Sequence, residues 1–454
     1  MADAFEKIGD IMRGSQMLRL LTVGALTLVL QIPIVSISHL VSERRERRQE
    51  AFDEVASKWG NAQSITGPVL VLPYQHRWTE VRESGTEVSG TQQRTAFLLP
   101  QNLRIRGQID SSERRRGIFS IPVYALGLEM SGSFAAPDFA ALGIDPQTVE
   151  WDRARVAIGV SDVSAINART AITWGGRAVD FLPGTGGFAD APNGIHAAVP
   201  TAAGAFPIDF TLPLSVNGSV GVNLTPAGEN TVAELRSNSP HPKFEGGWLP
   251  GKHSVTGDGF TAEWSIPFLG RGFPQAWTSE TPQQVAIDAS RFGVALIDPV
   301  DHYRMAERSV KYAGLFILLT FAVMWLLEVV AGATIHPIQY LLLGAALCLF
   351  YLLELALSEH LGFPVAYSLA SLAVIGMVAG YGKAILRRAS RAALVAAGVS
   401  ALYAYLYVLL TNEDYALLIG AIGLFAIVGA IMFVTRHVDW FAVGTRSTAP
   451  RAAE

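Results

Sequence analysis

The chain has 454 residues, 50% hydrophobic and only 16% charged, with a mean hydropathy of +0.31. A soluble globular chain carries about 25% charged residues, so part of this one is built for lipid. A net charge of −4 and a pI near 6.2 give no electrostatic case for nucleic acid. A lone cysteine, Cys348, excludes an intrachain disulfide and a thiolate metal cluster.

A membrane helix needs about 20 apolar residues at about 1.5 Å each. After a short N-terminal stretch, 1–17, the first such run is 18–38, LRLLTVGALTLVLQIPIVSIS with its flanks. It is longer than the apolar part of a secretory signal, and SHLVSERR follows it where a small-residue cleavage site would stand, so it reads as an uncleaved anchor. Residues 39–60 read as a juxtamembrane helix with Ser42 as its cap and Glu43 and Arg47 at the i,i+4 spacing of a solvated face.

From 61 to about 310 the period changes to two. In FPIDFTLPLSV the residues Phe206, Ile208, Phe210, Leu212, Leu214 and Val216 alternate with others, as on a half-buried strand. GPVLVLPY, IFSIPVYALGL, RVAIGVSDV, NTVAELRSN and FTAEWSI continue the pattern, giving one large β-sandwich or two smaller ones. The glycine-rich LPGTGGFADAPNGIH lacks the lysine and Ser/Thr of a phosphate-binding loop and reads as a turn. His241, between two prolines in SPHPKFEGGWLP, is a candidate acid–base or ligand residue but has no companion at metal-ligand spacing. Asp301 and His302, just before the next span, are in the same position. There is no HExxH, no GxSxG and no cysteine beside a histidine, and the expectation is a protein that is not an enzyme, with no cofactor and no metal.

Five further spans follow at 312–330, 340–357, 365–382, 392–410 and 416–434, then a tail, 435–454. The fold class expected is an α+β integral membrane protein: six transmembrane helices, one N-terminal and five C-terminal, with a large β-rich extracytoplasmic domain inserted between helices 1 and 2. KAILRRASR holds Lys383, Arg387, Arg388 and Arg391 and the tail holds further arginines, whereas SEHLGFP and TNEDY hold no Lys or Arg. The positive-inside rule then puts both termini in the cytoplasm and residues 40 to 310 outside. Arg44, Arg45, Arg47 and Arg48 run against that orientation, although long domains translocate largely regardless of charge.

Ionisable groups inside spans are functional candidates by default. Glu328 and Glu354 are the two here, each close to the end of its span, where reaching the headgroups or pairing with a neighbour competes with a relay role. His336, at the start of HPIQYLLLGAALCLFYLLELALSEH, joins them as a candidate. Gly376 with Gly380, and Ala416 with Gly420, have the small-xxx-small spacing of close helix packing.

TGPVLVLPY, ERRRGIFSIPVY, PGTGG followed by GIH, NSPHPKFEGGWLP, HYRMAERSVKYAGLFILLTF, the HPIQ segment and TRHVDWF together resemble the CreD family of bacterial inner-membrane proteins, named for cell envelope integrity. The likeness runs from the first span to the TRHVDW tail. It implies an envelope-stress protein of the bacterial inner membrane, tied in some bacteria to a two-component sensor system, and it brings no catalytic residues. Glu328 fits the pattern of that family, whereas a leucine can stand where Glu354 stands here, so the resemblance implies no family-wide role for Glu354. The function expected is binding through the outer β-rich domain, with membrane lipids and envelope proteins as partners. The alternative is a transporter or lipid-handling protein that uses the intramembrane acids.

Overall fold

The computed structural model describes residues 16–81, 87–202, 204–296, 302–331, 335–386 and 389–436. They fall into two units, Met1–Gln49 with Val300–Glu454, and Glu50–Pro299.

The helical unit contains α1 (Gln16–Val29), the first part of α2 (Gln31–Trp59), α3 (His302–Ala331), α4 (Pro337–Leu361), α5 (Phe363–Leu386), α6 (Ala389–Thr411) and α7 (Ala416–Thr435). Among the described residues, six helical stretches are long and apolar enough to cross a bilayer, one near the N-terminus and five after residue 300. The first departs from expectation. The chain breaks at Leu30 and then runs as one helix to Trp59, so Ser42 lies in mid-helix and caps nothing. Pro33 explains the position of the break: it is the third residue of α2, where the backbone N–H it lacks has no intrahelical acceptor. Neither proline nor glycine interrupts the helix again before Trp59. The pair Glu43–Arg47 forms as the spacing predicts, at 2.6 Å.

Helix packing uses other glycines than the expected ones. A methyl group added at Gly376 or Gly380 would meet nothing within 4 Å, and both are exposed on α5. Gly420 makes only ordinary contact with Leu409. The close approach is at Gly344 of α4, where a Cβ would stand 2.1 Å from Leu30 Cδ1 and 2.9 Å from Phe321. Gly423 likewise makes room for the Tyr405 hydroxyl, which donates to Ile419 O at 2.7 Å. The spacing rule finds glycines on one helix face, but which face meets a neighbour depends on helix rotation. No residue of α7 is buried within the chain, so lipid is its natural cover.

The second unit is built from two sheets. One runs β13 (Pro242–Gly246), β17 (Phe292–Leu296), β11 (Gly221–Leu224), β1 (Gln63–Val81), β5 (Arg155–Val160), β9 (Gly194–Ala198), β8 (Leu182–Pro183), with β2 (Glu87–Leu98) on β1 and β16 (Ala276–Thr278) on β2. The other runs β14 (Lys252–Thr256), β15 (Gly259–Pro267), β12 (Asn230–Ser237), β3 (Asn102–Arg116), β4 (Phe119–Phe134), β10 (Ile208–Ser219), β6 (Ala171–Trp174), β7 (Arg177–Asp180). Every run predicted as a strand is one. A single buried cluster takes Val69 to Leu72 from the first sheet and Ile105, Leu128, Phe210, Leu212 and Leu235 from the second.

The sheets differ in what covers them. In β5 and β17 nearly every residue is buried, the mark of a sheet covered on both faces. In β3, β12 and β10 buried and exposed residues alternate, so the second sheet faces solvent on one side. That face positions a polar surface. Phe206 falls just outside β10 and packs on Trp151 instead, with ring centroids 5.8 Å apart.

Candidate functional site

The two intramembrane acids sit at opposite ends of the antiparallel pair α3 and α4. Glu328 is one turn before the end of α3, and the chain returns at Ile335 to start α4. Its Oε1 accepts from Ile335 N at 3.1 Å and its Oε2 from the Tyr340 hydroxyl at 3.2 Å. Both carboxyl oxygens are therefore engaged by the start of α4. His336 is the N-cap of α4, its Nδ1 accepting from Ile338 N at 3.3 Å while the Gln339 side chain accepts from His336 N at 2.9 Å. Reciprocal bonding of this kind satisfies helix N–H groups that have no intrahelical acceptor. Glu328 thus ties the end of α3 to the start of α4, and His336 caps α4.

This geometry separates two substitutions. Glu328→Gln keeps an acceptor for Ile335 N or Tyr340 and should cost less than about 1 kcal/mol, whereas Glu328→Leu leaves a buried N–H and a buried hydroxyl unpaired, at about 1–3 kcal/mol each. Thermal unfolding of the full chain in detergent checks the order; equal losses for Gln and Leu would contradict it.

Glu354 is placed differently. It is fully buried on α4 and does not reach outward, so its position near the end of an apolar run does not carry it to the headgroups. The helix extends to Leu361, seven residues further, or about 10 Å. Ser309 Oγ of α3 donates to its Oε2 at 2.7 Å, while its Oε1 is buried without a hydrogen-bond partner among the described residues. Tyr351, Tyr367 and Tyr403 lie within electrostatic range, from three helices. Phe350 fills the space between, its ring 4.5 Å from that of Tyr403 and 5.3 Å from that of Tyr367.

A ring of charge lies at the same end of the helical unit. Arg44 pairs with Glu359 at 3.8 Å and Arg45 with Glu307 at 3.0 Å. Arg308 donates to the carbonyls of Leu409 and Leu410 at 3.1 and 3.2 Å, closing the end of α6. Arg304 and Arg308 both approach Glu413, at 3.7 and 3.8 Å. Two of the arginines that run against the positive-inside rule are thus matched by acids of α3 and α4.

In the strand-rich unit His241 is exposed in the loop before β13, and no hydrogen bond or metal-binding group forms around it among the described residues. Asp301 lies outside the described residues, and His302 stacks on Tyr303 with ring centroids 4.4 Å apart. The glycine-rich turn is a structural turn: Gly184 O accepts from His196 Nδ1 at 2.8 Å and Gly186 O from Arg155 Nη1 at 2.9 Å. The open face of the second sheet carries three contiguous depressions of about 590, 440 and 350 Å³. They share Arg106 and Glu234, then Gln108 and Arg236, and so form one trough. Arg236 pairs with Glu234 and Lys252 with Glu263, but Arg104 and Arg106 form no ion pair among the described residues. This surface is not legible in the sequence because its residues come from β3, β4, β12, β14 and β15, which meet only in the folded sheet.

Residues 15–441 match the family model described as inner membrane protein CreD. The chain belongs to the CreD family. It is 31% identical over 420 residues to inner membrane protein CreD of Escherichia coli (strain K12), an alignment covering 92% of each chain. With its six apolar helices, a CreD-family chain is a multi-pass protein of the inner membrane, carrying a large β-rich domain between the first helix and the rest.

Proposed function

We propose that this protein supports envelope integrity as a non-enzymatic binder, its β-rich domain lying in the periplasm and holding envelope material while the helices anchor it. One observation carries the reading: the trough across the open sheet face, where Arg104 and Arg106 form no ion pair among the described residues, although Glu129 and Glu234 stand beside Arg106 in register. An exposed polar trough on a rigid sheet suits a charged, extended ligand more than a small apolar one. The same orientation places both termini in the cytoplasm. A transporter or lipid-handling role rests instead on Glu354, the buried acid that the helices leave half-satisfied.

A photoreactive residue in place of Arg106 or Arg236 in the full-length chain should capture envelope proteins or cell-wall fragments in living cells. One in place of exposed Gln147 should not. The double substitution Arg104→Glu, Arg106→Glu, at exposed positions where stability changes stay within about 0.5 kcal/mol, should abolish capture from position 236 and fail to complement a deletion under envelope stress. Equal capture from 106 and 147, or full complementation by the double variant, would reject the reading.

A further inference from the structure

The two intramembrane acids are alike in sequence terms and unlike in the fold. Glu328 has a donor on each oxygen, both from residues within a short stretch of chain. Glu354 has one donor, Ser309, from the neighbouring helix, and its second oxygen has none among the described residues. Its side chain is fully buried.

A carboxylate is acceptor-only, with lone pairs on both oxygens to satisfy. Left ionised here, Glu354 would hold a charged oxygen without a donor in the core of an apolar helix cluster, where a charge is costly to bury. Among the described residues no cation pairs with it. The groups facing it are Tyr351 from α4, Ser309 from α3, Tyr367 from α5 and Tyr403 from α6, while Cys348 of α4 points instead at Leu30 O. Of these, the Tyr367 hydroxyl already donates to Tyr403 O at 2.6 Å. Arg308, beside Ser309 in sequence, donates to the end of α6. The missing partner must also be small, since Phe350, Tyr351, Tyr367 and Tyr403 close the surroundings and are all buried.

We propose that Glu354, held by Ser309, is a proton-binding site. A proton from bulk water adds to Oε1, turning the carboxylate into a neutral carboxylic acid, while Oε2 stays the carbonyl oxygen that accepts from Ser309. The route in is from the end that carries Glu359, Tyr303 and Arg44, because Ser309 and Glu354 each lie seven residues from their helix terminus there, about two turns. Uptake and release at this site would tie the packing of α3 against α4 to the acidity on that side. The inference is independent of what the β-rich domain binds.

The test is infrared difference spectroscopy of the full-length chain in lipid bilayers, stepped between two pH values. A carbonyl-stretch band of a protonated carboxyl group is expected. It should shift down in D₂O, be lost in Glu354→Gln, survive in Glu328→Gln, and shift to higher frequency in Ser309→Ala as the hydrogen bond to the carbonyl oxygen is removed. If Glu354→Gln does not insert, the wild-type chain in native membranes is treated with a hydrophobic carbodiimide, which reacts with protonated buried carboxyl groups. Mass spectrometry should then find the adduct on Glu354. A band that survives Glu354→Gln overturns the proposal, as does a band removed by added sodium at fixed pH, which would make the ligand a metal ion. Absence of the carbodiimide adduct from Glu354 overturns it too.

Discussion

Arg271→Met is expected to destabilise the β-rich unit on the order of 4 kcal/mol, more than any exposed charge change in this chain. Arg271 lies in FLGRGFP, after β15, and is only 7% exposed. Its Nη1 donates to the carbonyls of Pro226, Ala227 and Gly228 at 2.8, 2.9 and 3.0 Å, its Nη2 to Gln275 Oε1, and its guanidinium lies 4.5 Å from the Phe273 ring. Gln275 in turn donates to Leu99 O and Pro100 O. One side chain thus gathers three segments that would otherwise bury unpaired carbonyls. Burial pulls its pKa down to about 10, partly offset by nearby Glu229, so it is still a cation at neutral pH. Methionine fills similar volume but takes the donor from Pro226 O and Ala227 O and leaves Gly228 O with only the long bond from Thr231 Oγ1. Lysine keeps a charge and fewer donors, and should lose about half as much. Thermal unfolding of the full chain in detergent, followed by tryptophan emission, reports both; a loss below about 1 kcal/mol for the methionine variant would mean that water replaces the guanidinium.

Sequence reading was strong where the signal is local and weak where it is not. Alternation in IDFTLPLSV is a property of consecutive residues, and β10 follows it residue by residue. Span length is equally local. Glu328 and Glu354 could not be ranked that way, because the donor that distinguishes Glu354 stands 45 positions away on another helix. Arg271 gave no signal either, since an arginine between two glycines looks like a loop residue until its carbonyl partners fold around it. Two misreadings have the same origin. Ser42 looks like a helix cap only if the helix starts there, and Pro33 moves the start to Gln31. The Gly376–Gly380 pair has the spacing of a helix contact, but α5 turns it outward. By sequence His336 is an ionisable residue at a span end, whereas in the fold it is a cap, a role that its following Pro-Ile-Gln signals.

Cysteines replacing His360 and Asp414 are expected to react with a membrane-impermeant thiol reagent in intact spheroplasts, and one replacing Ser390 is expected to react only after lysis. The native Cys348 is buried and gives no background. The orientation rests on basic residues around Ser390 and their absence around His360 and Asp414. Against it stand Arg44 and Arg45, on the side assigned to the periplasm. Their pairing with Glu359 and Glu307 is a physical reason for them not to reverse the expected orientation: each is matched by an acid brought to the same end of the helical unit. That explanation has its own consequence. The double variant Glu307→Gln, Glu359→Gln leaves both arginines in place without those partners, and the fraction of chains labelled at Asp414→Cys in intact spheroplasts should fall, with labelling at Ser390→Cys rising to match. Unchanged labelling in the double variant would show that the loop around Ser390 sets the orientation unaided. Labelling at Ser390→Cys in the otherwise unaltered chain before lysis would invert the whole arrangement and move the β-rich domain to the cytoplasmic side.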